Sequence, residues 1–516
     1  MKERSRTEYS LLNMLAGMVG YAVNTIVGFV CRIIFVRTLS VEYLGVSGLF
    51  TNILSVLSLA ELGIGSAIIY ELYKPIAQKN GKKIASIMQL YRKAYTLIGL
   101  AVAAIGLLIL PFLKYIITEP VSIKENIYLL YLIFLFNTVI SYFFSYRASL
   151  LTAMQRQYIA SGYNYIVTIV QSIVQCVFLF YTHEYLSYLF IQTCGIVVYN
   201  VWISYKVGID YPYIKDKNVE PLSKQETKSI FKNVKALTIN KISGILVNST
   251  DNIAITFFDG LNSVGFASNY ILLSSVVGGI IGMVFNALPG SVGNFNASAD
   301  EDGRYKFFKV LNLTNFWLFG WGAIGIAFVS SDLVKLLYGT EYVLPMEIPF
   351  IIAINFFTIG MLQASYTYKS TLGLFRYGQY LLFFTGIINL FLDVVLGRVY
   401  GVFGIYLATL VARLCTNLWY EPYAVYRYGL KKNPALYFIR YFYFLIILAI
   451  SGGISWLFCG LCSFSVVGNV LAKLIICSVV PNGMFILFFR KTYEFNYLKC
   501  SARRMLHKLI ISRNPE

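Results

Sequence analysis

The sequence predicts an all-α membrane protein of about 14 transmembrane helices, arranged as two six-helix bundles followed by two further helices. Three observations predict it. First, 58% of the 516 residues are hydrophobic and only 13% are charged, about half the charged share of a soluble domain. Second, apolar runs near the bilayer-crossing length of about 20 residues recur along the whole chain. They fall at 11–36, 44–73, 94–113, 127–146, 158–181, 185–205, 232–257, 263–290, 308–330, 347–368, 377–397, 401–424, 437–459 and 465–489. Third, the layout of the first two runs returns about 220 residues later, the mark of an internal repeat.

The repeat is clearest at its second copy. A helix expected over Lys241–Phe257 carries the polar cluster Asn248-Ser249-Thr250-Asp251-Asn252 inside an apolar run. Lys241, Asn248 and Asn252 share one face, with Gly244 and Asp251 beside them. The next helix, expected over Asn262–Asn294, aligns Ser268, Ser275, Gly279, Gly282 and Asn286 at steps of three or four, which is one helical face. In the first copy the matching stripe is Asn13, Gly17, Gly20, Asn24, Gly28 and Arg32. Gly45 answers Gly265, Ser55 answers Ser275 and Arg32 answers Asn252. Polar stripes on membrane helices face protein or a water-filled cavity, not lipid.

Charge sets the topology. With the N-terminus placed in the cytoplasm, 34 of the 43 Lys and Arg fall in cytoplasmic segments and 5 in outer turns. That bias puts both termini inside and requires an even number of spans. Spans 1 and 7 then run in the same direction, so the repeats are parallel. The expected divisions are a six-helix bundle over 1–208, a cytoplasmic linker over 209–231, a second six-helix bundle over 232–428, two added helices over 429–489 and a basic tail over 490–516. The net charge of +19 is read as this topological bias, with the tail against anionic lipid heads; no nucleic-acid partner is expected. No cleavable signal is evident, so the first span is read as an anchor.

Several functions are disfavoured. Only two histidines occur, His183 and His507, far apart in sequence, and no Gly-x-x-x-x-Gly-Lys loop is present, so no metal centre and no built-in ATPase is expected. Cys459-x-x-Cys462 has no second pair, and packing is its reading. The outer turns are too short for a catalytic domain. No catalytic residue is assigned, and an enzyme is not expected.

Charges inside spans are the sharpest clues, because each is costly there. The cations are Arg32, Lys241 and Arg413, with Lys473 in the added pair read as lipid-facing and reaching toward the headgroups. Arg32 and Lys241 can also snorkel to their nearer interfaces. The acids are Glu61, Asp251 and Asp393, the last with Arg398 as a neighbour in sequence. Glu61 and Asp251 are candidates for binding a proton or sodium ion, with structural pairing the equal alternative for Glu61. Arg32, Lys241 and Arg413 are the candidate cavity cations, and Asn24, Asn248 and Asn252 the candidate polar cavity lining.

Three stretches carry a family resemblance: Asn248-Ser249-Thr250-Asp251-Asn252 with Gly260 and Val264-Gly265-x-x-x-Asn269-Tyr270; Tyr43-Leu44-Gly45 through Leu59-Ala60-Glu61-Leu62-Gly63; and Asn389 with Leu396-Gly397, Gly401-x-x-Gly404 and Ala408-Thr409. The chain resembles a polysaccharide flippase of the Wzx type, in the multidrug/oligosaccharidyl-lipid/polysaccharide exporter superfamily. The resemblance implies two bundles in a V around a central cavity. It also implies movement of an undecaprenyl-diphosphate-linked oligosaccharide to the outer leaflet of a bacterial cytoplasmic membrane, for capsule, exopolysaccharide or O-antigen. Membrane lipids and other polysaccharide assembly proteins would be partners. Cofactors are not expected beyond a proton or sodium gradient. The cavity cations suit a diphosphate as charge-assisted donors. The alternatives are a cation-coupled multidrug antiporter of the same superfamily, a membrane polysaccharide polymerase and a non-transporting scaffold.

Overall fold

The computed structural model describes residues 6–58, 64–117, 123–154, 156–215, 222–223, 250–288, 292–293, 295–296, 299–374, 376–378 and 380–511. They form helices and turns, with no strand among the described residues. The first seven helices are α1 (Arg6–Thr38), α2 (Val41–Leu57), α3 (Ile64–Ala77), α4 (Gly81–Ile109), α5 (Ile127–Ala153), α6 (Gln157–Thr182) and α7 (Tyr185–Asp210). There follow α8 (Asp251–Asp259), α9 (Leu261–Ala287), α10 (Glu301–Leu337), α11 (Glu347–Met361), α12 (Gln363–Thr371), α13 (Leu381–Cys415) and α14 (Asn417–Ala424). The last three are α15 (Ala435–Gly460), α16 (Val466–Phe489) and α17 (Tyr493–Ile511).

Apolar runs become helices here because the bilayer offers no water to an unpaired N–H or C=O. Their starts are set by side chains that accept the first free amides. Asn80 caps α4 through the Lys83 amide, Asn126 caps α5 through Tyr128, Asp300 caps α10 through Gly303 and Ser465 caps α16 through Gly468. Gly260 alone separates α8 from α9, at φ 84° and ψ 168°, a conformation essentially open only to glycine.

Among the described residues, eleven helical segments are long and apolar enough to cross a membrane. The longest, Leu381–Gly429, is two passes. Gly401 (φ 55°, ψ −135°) reverses the chain within α13, and a Cβ on Gly404 would overlap the Leu396 carbonyl. Thr385 meets Thr416, and Asn389 meets Thr409, across the two arms. With α2 and α8, which border residues outside the description, the architecture agrees with about 14 passes. Large apolar side chains such as Leu108, Phe180, Phe391 and Leu457 lie on the exterior, as lipid-facing surfaces require.

The chain forms two compact units, Met1–Gly265 and Phe266–Glu516. In the first, α1 packs on α6, α6 on α7, and α5 on both α4 and α7. In the second, α10 packs on α11 and α16, α15 on α16, and α11 on α13. In each unit one helix bridges two neighbours: α5 touches α4 and α7, and α11 touches α10 and α13. The linker expected over 209–231 lies mostly outside the described residues. The first unit extends to Gly265 because α8 and the first turn of α9 belong to it. There the two glycines related by the repeat meet. A Cβ on Gly45 would overlap the Leu261 carbonyl, and one on Gly265 would lie 2.6 Å from the Val41 side chain.

One expectation is corrected. Lys473 does not face lipid alone; its Nζ lies 2.5 Å from Asp332 Oδ2, joining α16 to the C-terminal end of α10. A partner 141 residues away was invisible in the local sequence. At the other end, α17 docks on the second unit through Glu494. Its carboxylate accepts from Arg440 at 2.9 Å and lies 3.5 Å from Lys309, while Phe495 stacks on Trp317. Burial pushes the Glu494 carboxyl up, yet Arg440 and Lys309 hold it below the usual carboxylate range.

Candidate functional site

The polar residues of α13 sit on the inside of its hairpin. Thr385, Asn389 and Asp393 follow at steps of four, one face of the first arm; Thr409, Arg413 and Thr416 answer from beyond the turn. All six are buried, the first three completely. The Thr385 and Thr416 hydroxyls share a hydrogen bond of 2.7 Å. Asn389 Nδ2 donates to Asp393 Oδ1 at 3.1 Å and to Thr409 Oγ1 at 3.2 Å. The Asn389 Oδ1 has no hydrogen-bond partner among the described residues. Arg413 donates to Asn355 Oδ1 at 3.2 Å, and Asn355 donates in turn to the Tyr406 carbonyl at 2.8 Å. Towards the other end, Lys369 and Glu421 form an ion pair of 2.8 Å in which Glu421 is only 4% exposed.

Chemically, this seam holds one carboxylate, that of Asp393, and one guanidinium, that of Arg413, among neutral polar groups. An Asp at the centre of a spanning helix costs about 2.5–3.5 kcal/mol on insertion scales. Neutralisation by a proton or an alkali cation removes much of that cost. The amide of Asn389 and the hydroxyl of Thr409 are hard oxygen donors beside it.

Two cavities accompany the seam, each inside one unit. The second unit contains an apolar one of about 750 Å³ between α10, α11 and α15, walled by residues such as Ala327, Phe328, Phe357, Gly452, Gly453 and Trp456. The first unit contains a polar one of about 400 Å³ between α2, α5 and α7.

Of the residues expected from sequence, Arg32 is half-buried on α1 and engaged with neighbouring groups. Asn24, two turns earlier, is also half-buried, and its Oδ1 is enclosed without a hydrogen-bond partner among the described residues. Asp251 and Asn252 open α8, where the Asn252 amide approaches Gly48 of α2. Arg413 lies inside the second unit against Asn355. Glu61, Lys241 and Asn248 lie outside the described residues. The sequence reading missed Asn355, the Asn389–Thr409 pairing and the Lys369–Glu421 pair. The spacing Asn389-x-x-x-Asp393 was the one available signal, since it puts both on one face of a membrane helix.

A family profile described as "Polysaccharide biosynthesis protein" matches residues 10–289, more than half of the chain. The chain belongs to the polysaccharide biosynthesis protein family. A comparison with curated proteins gave no match. Among solved structures, this polysaccharide biosynthesis protein is similar to the lipid II flippase MurJ in an inward closed conformation. The TM-score is 0.69 at 14% identity, over 94% of this chain and 99% of that one. It is similar to an inward-facing MATE multidrug transporter of the MOP superfamily, with TM-score 0.63 at 14% identity over 79% of this chain and 95% of that one. It also resembles a MATE transporter from Vibrio cholerae, with TM-score 0.54 at 15% identity over 83% and 99%. The fold is thus shared with structures solved as a lipid II flippase and as multidrug transporters. The chain is a multi-pass membrane protein, and the Wzx-type resemblance is borne out at this level.

Proposed function

We propose that this polysaccharide biosynthesis protein is a flippase. It moves an undecaprenyl-diphosphate-linked oligosaccharide from the cytoplasmic to the outer leaflet of a bacterial cytoplasmic membrane, for capsule, exopolysaccharide or O-antigen assembly. Both termini lie in the cytoplasm. The observation that carries the reading is the family match over residues 10–289, joined by the shared fold with a lipid II flippase. The chemistry of the cavities supports it. Such a cargo is apolar at one end, anionic in the middle and polyhydroxylated at the other. An apolar cavity of about 750 Å³ suits a polyprenyl segment, and membrane-embedded cations such as Arg32 suit a diphosphate.

Transport is coupled to a proton or sodium gradient by a buried carboxylate. Asp251 and Glu61 are candidates from sequence. Asp393, completely buried and accepting from the Asn389 amide, is a third. Alternating access then exchanges the neutralising ion at one face for release at the other.

The test uses the full chain in phosphatidylcholine liposomes loaded with a fluorescent polyprenyl-diphosphate-linked disaccharide. Membrane-impermeant reductant reports the accessible leaflet. Protein-dependent leaflet transfer, faster under an imposed ion gradient, is the expected result. No transfer with folded, monodisperse protein would overturn the reading. The fold shared with multidrug MATE transporters keeps one second reading: ion-driven extrusion of an organic cation such as ethidium, without lipid transfer, would establish an antiporter instead.

A further inference from the structure

We infer that the cavity between α2, α5 and α7 of the first unit binds an uncharged sugar ring of the cargo. Its biological meaning rests on the flippase reading, though its chemistry does not. Five hydroxyls in the wall have their protons already committed. Thr51, Ser55 and Ser58 on α2 each donate to the backbone carbonyl four residues back, at 2.6, 2.8 and 2.9 Å. Thr138 and Ser141 on α5 do the same, at 3.1 and 2.9 Å. A hydroxyl that donates to its own helix keeps its lone pairs for whatever lies in front of it.

Asn137 lies between them on α5. It is 8% exposed, and its Oδ1 has no hydrogen-bond partner among the described residues; the Ser145 Oγ one face-turn further is in the same state. All of these residues line one cavity of about 400 Å³, towards the small end of the ligand-pocket range of roughly 300–1,000 Å³. The wall is therefore rich in acceptors, with the Ser145 hydroxyl and the Gln192 amide as donors beside them, a mixture that a sugar hydroxyl, donor and acceptor at once, can satisfy.

Charge narrows the class of ligand. No Lys, Arg, Asp or Glu lines the cavity among its described residues. Among the described residues a phosphate placed there would meet oxygens and no cation, and an organic cation would meet no carboxylate. Either charge would be desolvated without compensation. An uncharged polyol brings several O–H donors and no charge to desolvate. The rings of Phe134 and Tyr142, also in the wall, face it with the apolar surface on which sugar C–H groups pack. The diphosphate and the sugar are thus recognised by different parts of the protein, and this cavity reads only the sugar.

The test is photolabelling of the full chain in nanodiscs with uncharged hexose and N-acetylhexosamine disaccharide glycosides that carry a diazirine. Adducts are expected in residues 134–145, 51–58 or 192–196, competed by unlabelled disaccharide and not by inorganic pyrophosphate or tetraphenylphosphonium. Thr138→Val and the Ser141→Ala, Ser145→Ala pair should lower labelling about five- to tenfold at sub-saturating probe, the loss of about one net hydrogen bond, with unchanged thermal unfolding. Asn137→Leu should do the same, and the hydroxyl variants decide the matter if it misfolds. Absence of adducts from these segments with every probe, labelling unchanged in the hydroxyl variants, or displacement by pyrophosphate or tetraphenylphosphonium would each overturn the inference. The assay contains no transfer step. Labelling without leaflet transfer in liposomes would overturn the flippase reading alone, and transfer without labelling would overturn this one alone.

Discussion

Arg413 is a guanidinium held inside a membrane protein by a neutral partner. It is 7% exposed and donates to Asn355, which is itself anchored to the Tyr406 backbone. A contact of that kind positions the second arm of α13 against α11. Arg413→Ala should therefore lower stability by about 1–3 kcal/mol, the cost of an unmade buried hydrogen bond, along with transport. Asn355→Ala should lower it comparably. Arg32→Ala, from a half-buried position on α1, should abolish export with little change in thermal unfolding, and Arg32→Lys should keep part of the activity because charge survives while the fork geometry is lost. Fluorescence-detected thermal unfolding beside the liposome assay separates the two cases. At Asp393 the variant to make is Asn, which preserves shape and the contact with Asn389. Asp393→Asn should remove the acceleration by an ion gradient while leaving the protein folded. Retained gradient dependence would move the coupling site to Asp251 or Glu61.

At the scale of elements, the helices themselves were legible in the sequence, because in a bilayer an apolar run of sufficient length has few alternatives to a helix. The hairpin of α13 was legible too, through Gly397, Gly401 and Gly404. Partners far apart in sequence were not: Lys473 with Asp332, Lys369 with Glu421 and Arg413 with Asn355 are choices made by packing. The polar cavity was equally silent, since each of its Ser and Thr residues reads singly as a helix hydroxyl bonded to its own backbone. Two elements lend themselves to testing. The crossing of α2 with the start of α9 leaves no room for side chains at Gly45 and Gly265, so Gly45→Leu should destabilise the first unit by about 1–3 kcal/mol or more, as overpacking does. The docking of α17 should depend on pH. The folded Glu494 carboxyl is held below its ordinary range, so its contribution is present above an unfolded value of about 4.3 and is lost as pH falls through the lower folded value. Protease protection of α17 should follow that course in the native chain and lose it in Glu494→Gln.

For the whole molecule, the unequal distribution of Lys and Arg makes a prediction about sidedness. Lys217, in the linker and outside the described residues, should stay unlabelled after Lys217→Cys when an impermeant maleimide is added to intact cells, and react once the cells are opened. The reversal at Gly401 bears on how such a chain enters the membrane at all. Asn389 and Asp393 would make the first arm of α13 a poor candidate for insertion by itself, since one central Asp adds about 2.5–3.5 kcal/mol to the partition step. Thr409, the partner of Asn389, lies only 20 residues from it, so the loop that must close is short and its entropy cost small. The two arms can leave the translocon together, as a pre-paired hairpin with its polar groups hidden from lipid. A nascent chain halted after Arg398 should accordingly integrate its last segment less efficiently than one halted after Glu421, and glycosylation mapping of the two truncations would show the difference.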